Sequence, residues 1–146
     1  MRIQDVLRAK GGEVFTISPE ATVTELLTRL ASHNVGALVV CADDDTVAGI
    51  VSERDVVRRL DDRGIEVLGA TVSQIMTTTV TMCSEQDAVE ELMRLMTDRR
   101  IRHVPVVRDG RLVGLISIGD VVKQRLIDAN LEVETLRGYV SLRADP

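Results

Sequence analysis

Aromatic side chains are almost missing from this 146-residue chain, which holds one Phe, one Tyr and no Trp. Its core must be built from interlocking aliphatic side chains, and a flat heterocycle bound by it has to sit between Val, Ile and Leu rather than on a ring. Cysteine is nearly as scarce. Cys41 and Cys83 are too few for a disulfide framework or a metal quartet and lie in apolar stretches, so they are expected as buried, reduced thiols, with no metal site implied. A surplus of positive charge is lacking too: 18 Lys and Arg face 23 Asp and Glu, for a net charge of −5. This argues against nucleic acid as a partner, because such binding depends on neutralising phosphates. No basic segment followed by an apolar run opens the sequence, and no window approaches the roughly 18 apolar residues of a membrane span. A soluble, cytoplasmic protein without a membrane partner is expected. Also absent are a Gly-x-Ser-x-Gly elbow, a His-Glu-x-x-His pair and a P-loop; no catalytic residue is assigned and no enzyme is expected.

What the chain does contain is a duplication. Gly49-Ile50-Val51-Ser52-Glu53-Arg54-Asp55-Val56-Val57 returns as Gly114-Leu115-Ile116-Ser117-Ile118-Gly119-Asp120-Val121-Val122, a displacement of 65 residues that carries Gly, Ser and Asp onto themselves. The flanks repeat as well. Helical spacing in Ile3-Gln4-Asp5-Val6-Leu7, ended by Gly11-Gly12, is matched by Val72-Ser73-Gln74-Ile75-Met76. Short strands are expected over 14–17 and 80–83. Val23, Leu26, Leu27 and Leu30 mark one face of a helix that Thr22 or Ser18 can start, and Val89, Leu92, Met93 and Met96 repeat it. Apolar runs at 35–41 and 104–107 turn at Asp43-Asp44-Asp45 and Asp109-Gly110 and return as a second strand, predicting two hairpins. The three aspartates are read as a solvated turn rather than a cation site. A helix follows each hairpin; the second continues past Leu126 through Ile127, Leu131 and Leu136 to about residue 137. Those apolar residues have no obvious cover in the chain and are expected to pack on a second subunit.

The repeated order, with Asn34-Val35-Gly36-Ala37-Leu38-Val39-Val40 and Arg102-His103-Val104-Pro105-Val106-Val107 ahead of the two Gly-x-x-Ser-x-x-Asp strings, resembles the CBS domain, and the whole resembles a stand-alone tandem CBS pair, or Bateman module. The resemblance implies an α/β (α+β) fold of two βαββα repeats related by a pseudo-twofold axis: repeat 1 over 1–62, a linker over 63–70, repeat 2 over 71–126, and a C-terminal helical extension and tail over 127–146. It also implies two clefts that take an adenosine-containing ligand, namely AMP, ADP, ATP, NAD(H) or S-adenosylmethionine, with no catalytic cofactor, and association into a homodimer.

An aspartate at a helix start can accept hydrogen bonds from both ribose hydroxyls, and a serine beside free helix N–H groups suits a phosphate or ribose oxygen. Asp55 and Asp120, with Ser52 and Ser117, are therefore the candidates. The competing reading is that Ser-x-x-Asp is a capping box that binds nothing. By resemblance, one cleft combines Gly12, Glu13, Val14, Gly36, Ala37 and Leu38 with Arg102, His103, Ser117 and Asp120. The other combines Thr77, Thr78 and Val80 with Ser52, Arg54 and Asp55. Since only the second copy carries Arg102 and His103, the Asp120 cleft is expected to be the better phosphate site. Function follows as a non-catalytic adenine-nucleotide sensor acting on an unidentified effector protein; the alternative is a structural protein–protein interaction module with vestigial clefts.

Overall fold

The computed structural model describes residues 1–144, with side-chain surroundings through residue 140; residues 145 and 146, the end of the expected tail, lie outside the described residues. The chain runs α1 (Ile3–Lys10), β1 (Thr16–Ile17), α2 (Val23–His33), β2 (Ala37–Cys41), β3 (Val47–Ser52), α3 (Glu53–Arg63), a 3₁₀ helix (Gly64–Gly69), α4 (Val72–Ile75), α5 (Val89–Arg99), β4 (His103–Arg108), β5 (Arg111–Ser117) and α6 (Ile118–Ala144). The α/β fold expected from the sequence is present.

Local chemistry explains most boundaries. Thr22 Oγ1 accepts from the Glu25 N–H at 3.2 Å while Glu25 Oε2 accepts from the Thr22 N–H at 3.1 Å, a closed capping box that starts α2. Val23, Leu26 and Leu30 of α2 are buried, whereas Leu27 sits at the edge of that face. The Asp43-Asp44-Asp45 stretch is a turn, with Asp44 Oδ1 accepting from the Thr46 N–H at 3.1 Å and Asp45 at φ 62°. Both hairpins carry a register shift at the same place, between Val40 and Cys41 and between Val106 and Val107. The duplication thus extends to irregularities.

One expected strand is reduced. β1 pairs in parallel with β2, Thr16 with Val39 and Ile17 with Val40, but its counterpart over 80–83 is a single bridge, Cys83 to Val106. Cys83 donates to the Pro105 carbonyl at 3.0 Å and its own carbonyl accepts from Val107 at 2.9 Å. Pro105, standing where the first copy has Val39, has no N–H with which to extend the ladder.

Two aliphatic clusters form the core, and they exchange their leading helices. Ile3 and Val6 of α1 belong to the cluster built on α5, β4 and β5. Val72 and Ile75 of α4 belong to the one built on α2, β2 and β3. The stretch expected as a linker is wound into the 3₁₀ helix, whose Val67 is buried in the first cluster. Both cysteines are free and buried, and burial pushes the Cys83 thiol up to about 12. α6 has Val121 in the second cluster but leaves Leu126, Leu131, Leu136 and Val140 exposed.

Candidate ligand-binding cleft

Two strand starts face each other across the pseudo-twofold. Ala37 pairs with Ser52 and His103 pairs with Ser117. The Glu53 N–H donates to the Gly36 carbonyl at 3.0 Å, and the Ile118 N–H donates to the Arg102 carbonyl at 2.8 Å. These matched bonds tie each helix start to the residue that precedes its own hairpin. A Cβ placed on Gly36 would lie 4.0 Å from His103 Cε1, so the two starts are neighbours.

Between them opens a cavity of about 420 Å³. One side is the β3–α3 junction with Ser52, Glu53, Arg54 and Asp55; another is the segment after α4 with Thr77, Thr79, Val80 and Thr81; the rest is Gly36, Ala37 and Ile50, together with Arg100, Ile101, Arg102 and His103. The segment after α4 is fixed by a backbone pair, Ile50 N–H to Thr77 C=O at 3.0 Å and Thr77 N–H to Ile50 C=O at 2.9 Å. Ala37, Ile50, Val80 and Ile101 supply the aliphatic surface that a chain without aromatic platforms must offer a flat ring.

Ser52 and Asp55 do close a capping box. Asp55 Oδ2 accepts from the Ser52 N–H at 2.8 Å and from Ser52 Oγ at 3.1 Å, and the Asp55 N–H donates to Ser52 Oγ at 3.4 Å. Capping occupies only Oδ2; among the described residues nothing hydrogen-bonds Oδ1 of this half-buried carboxylate. Capping and hydroxyl binding are therefore compatible at Asp55.

Asp120 differs. Its Oδ2 accepts from the Ser117 N–H at 2.9 Å and also from Lys10 Nζ at 2.7 Å, and the same ammonium donates to the Leu115 carbonyl at 2.7 Å. Burial alone would raise the Asp120 pKa, but the bonds from Lys10 and Ser117 outweigh it and hold the carboxyl below its ordinary value. Burial lowers His103, aided by Lys10 and Arg102 and opposed by Asp120 and Glu53.

The structure divides the expected site residues differently from their order in the two repeats. Gly36, Ala37, Arg102 and His103, expected with Asp120, share one cavity with Ser52, Arg54, Asp55, Thr77 and Val80, while Gly12, Glu13, Val14, Leu38, Thr78, Ser117 and Asp120 do not line it. Leu38 is wholly buried in the first core cluster. Arg102 and His103, where β4 begins, line the cavity beside Ser52, Arg54 and Asp55 of the other repeat. Sequence reasoning missed Ile50, Glu53, Thr79, Thr81, Arg100 and Ile101. Arg100 had a signal: it ends α5 at φ 54°, as Asn34 ends α2 at φ 53°, and arginine is an unusual choice for a left-handed cap.

The two repeats enclose a shared cleft, the arrangement of a tandem regulatory module. The CBS domain model matches residues 3–62 and 72–126, and the chain belongs to the CBS domain family. Tandem CBS domains are regulatory modules. A mitochondrial CBS domain-containing protein of Arabidopsis thaliana is 35% identical, over 94% of this chain and 71% of its own length. The crystal structure of a CBS-domain containing protein from Agrobacterium tumefaciens superposes with a TM-score of 0.82 at 42% identity, covering 86% of this chain and 99% of that one. The CBS domain pair of protein MJ0100, solved with 5′-methylthioadenosine and S-adenosyl-L-methionine, superposes at 0.76 with 24% identity, covering 89% of this chain and 98% of that one. Among the described residues no helix is long and apolar enough to cross a membrane.

Proposed function

We propose that the protein is a non-catalytic cytoplasmic sensor that binds one adenine nucleotide per chain, AMP, ADP, ATP or NAD(H), in the cavity around Asp55 and transmits its occupancy, as a homodimer, to an effector protein. The observation that carries this reading is the convergence of both repeats on one cavity that holds a half-committed aspartate, an aliphatic slot and arginines. The adenosine-type ligands of the MJ0100 pair support the ligand class. The cavity is lined by Asp55 and not by Asp120, which supports placing the nucleotide at Asp55; Lys10 bonds Asp120 through Oδ2, the oxygen the cap already uses. This reading ranks the two clefts in the opposite order to the one expected from the repeats alone.

At roughly 0.3 kcal/mol per heavy atom, a nucleotide monophosphate of about 23 such atoms gains about 7 kcal/mol, a dissociation constant on the order of 10 μM. Isothermal titration calorimetry with AMP, ATP and NADH tests the proposal. The expected result is one site per chain, with affinity lost about tenfold or more in Asp55→Ala and little changed in Asp120→Ala. Silence toward all three nucleotides would leave the interaction-module reading, which the exposed face of α6 favours.

A further inference from the structure

The two core clusters divide the molecule into two bodies that are joined sparsely. The first body comprises 16–76; the second unites α1 with 83–144, and no buried residue belongs to both clusters. The chain crosses between them twice, at 12–14 and at 78–82. Among the described residues neither crossing makes a main-chain hydrogen bond. The bodies themselves share one such bond, from the Leu112 N–H to the Asp45 carbonyl at 3.0 Å, and no ion pair or side-chain hydrogen bond among the described residues runs from one to the other. That single bond lies at the tips of the two hairpins. The cavity lies at their opposite end, where Glu53 and Asp55 of the first body and Arg100 and Arg102 of the second share the lining with no ion pair across it. A second cavity, of about 400 Å³, has both Arg54 of α3 and Ile118 of α6 in its walls, so open space separates the starts of these two helices.

From this we infer that the bodies turn about the hairpin tips as a hinge, that a ligand in the cavity closes it, and that occupancy is read out as the angle between α3 and α6. The inference rests on the nucleotide reading above and adds to it the way an occupied site is signalled. An angle that few contacts oppose is soft, and unladdered crossings bend with little cost. A ligand shifts such an equilibrium only if it binds one state better than the other. Here that condition is met, because the polar partners stand on opposite walls and one small molecule reaches both only when the walls approach. β2 is five residues long, about 17 Å at about 3.4 Å per residue, so a turn of about 10° at the tips brings the strand starts about 3 Å closer. The same turn carries the exposed apolar side of α6 with it, past the first body.

Spin labels on the full chain test the hinge. Arg58→Cys with Lys123→Cys puts them at matched, exposed positions of α3 and α6 that line neither cavity, and Asp43→Cys with Arg111→Cys puts them beside the tips. The unsubstituted chain is the labelling blank, since Cys41 and Cys83 are buried. Distances are measured by pulsed dipolar EPR, with labelled chain diluted into unlabelled so that pairs within one chain dominate. Calorimetry on the same samples with AMP, ATP and NADH identifies the nucleotide that binds. At saturation with it, the α3–α6 distance should shorten by about 3 Å and the tip distance should change by less than about 1 Å. Nucleotide binding with the α3–α6 distance unchanged or lengthened, or with both distances shifting alike, would overturn the hinge and leave nucleotide binding intact. Absence of binding by all three nucleotides would overturn both.

Discussion

Gly49 and Gly114 occupy matching places but meet different neighbours. A Cβ on Gly49 would stand 2.7 Å from the Thr77 carbonyl oxygen, part of the backbone pair that fixes one wall of the cleft. A Cβ on Gly114 would meet the Leu7 Cδ2 at 2.6 Å, the end of a side chain that can turn aside. Gly49→Ala should therefore cost about 2–3 kcal/mol and weaken nucleotide binding, while Gly114→Ala should cost about 1 kcal/mol or less, as denaturant titration of both variants would show. His103 carries a pH dependence. Burial and Lys10 hold its folded pKa below the unfolded value near 6.5, so in that window the unfolded chain binds the extra proton. Its contribution to stability is present above about pH 6.5 and is lost as pH falls toward the folded pKa. His103→Gln should flatten the denaturation midpoint between about pH 7 and pH 5.5, and an unchanged slope would remove His103 as its source. The sequence showed the repeated Gly, Ser and Asp but not why they repeat. The reason for Gly49 lies in an atom of residue 77, and that for Lys10 on Asp120 lies 110 residues away, separations at which local pattern says nothing.

Among the elements, α6 has the most left to explain. Its 27 residues span about 40 Å, and only the first turns lie on the second core cluster. Val122, Leu126, Ala129, Val133, Leu136 and Val140 recur at alternating spacings of four and three, the seam of a two-stranded coiled coil, and the large ones are exposed. In a parallel pair, Glu132 on one helix flanks the seam opposite Arg137 on the other, so the charges match. A dimer through α6 is expected by size-exclusion chromatography with light scattering, converting to monomer in Leu126→Asp/Leu136→Asp. Arg137→Glu should weaken it, with recovery when Glu132→Arg is added. The helical spacing of α1, α2 and α5 was legible because each has one buried face. The strand over 80–83 was overestimated because periodicity does not register what Pro105 denies a neighbour in space.

For the molecule as a whole, the duplication was legible almost completely, with both hairpins placed to within one or two residues at their ends, since the two copies corroborate one another. The exchange of α1 and α4 was not, because burial on one's own repeat and burial on the other leave the same apolar spacing. Division of the site between clefts was hidden for a related reason: the residues where β4 begins line a cavity with the other repeat's β3–α3 junction, which the spacing within one repeat does not show. Neither half should fold alone. A fragment of residues 1–63 would leave Ile3 and Val6 bare and lack Val72 and Ile75, so each half is expected to be unstructured by circular dichroism, with signal returning when both are mixed. An ordered isolated half would refute this. The exchange also bears on ancestry. A single repeat with this architecture could complete its core only by borrowing the leading helix of a twin, and would have lived as an obligate pair. Joining two such repeats needs only a connection of the length of Gly64–Gly69, after which the copies can diverge, as the Lys10 ion pair made by Asp120, with no counterpart at Asp55 among the described residues, illustrates.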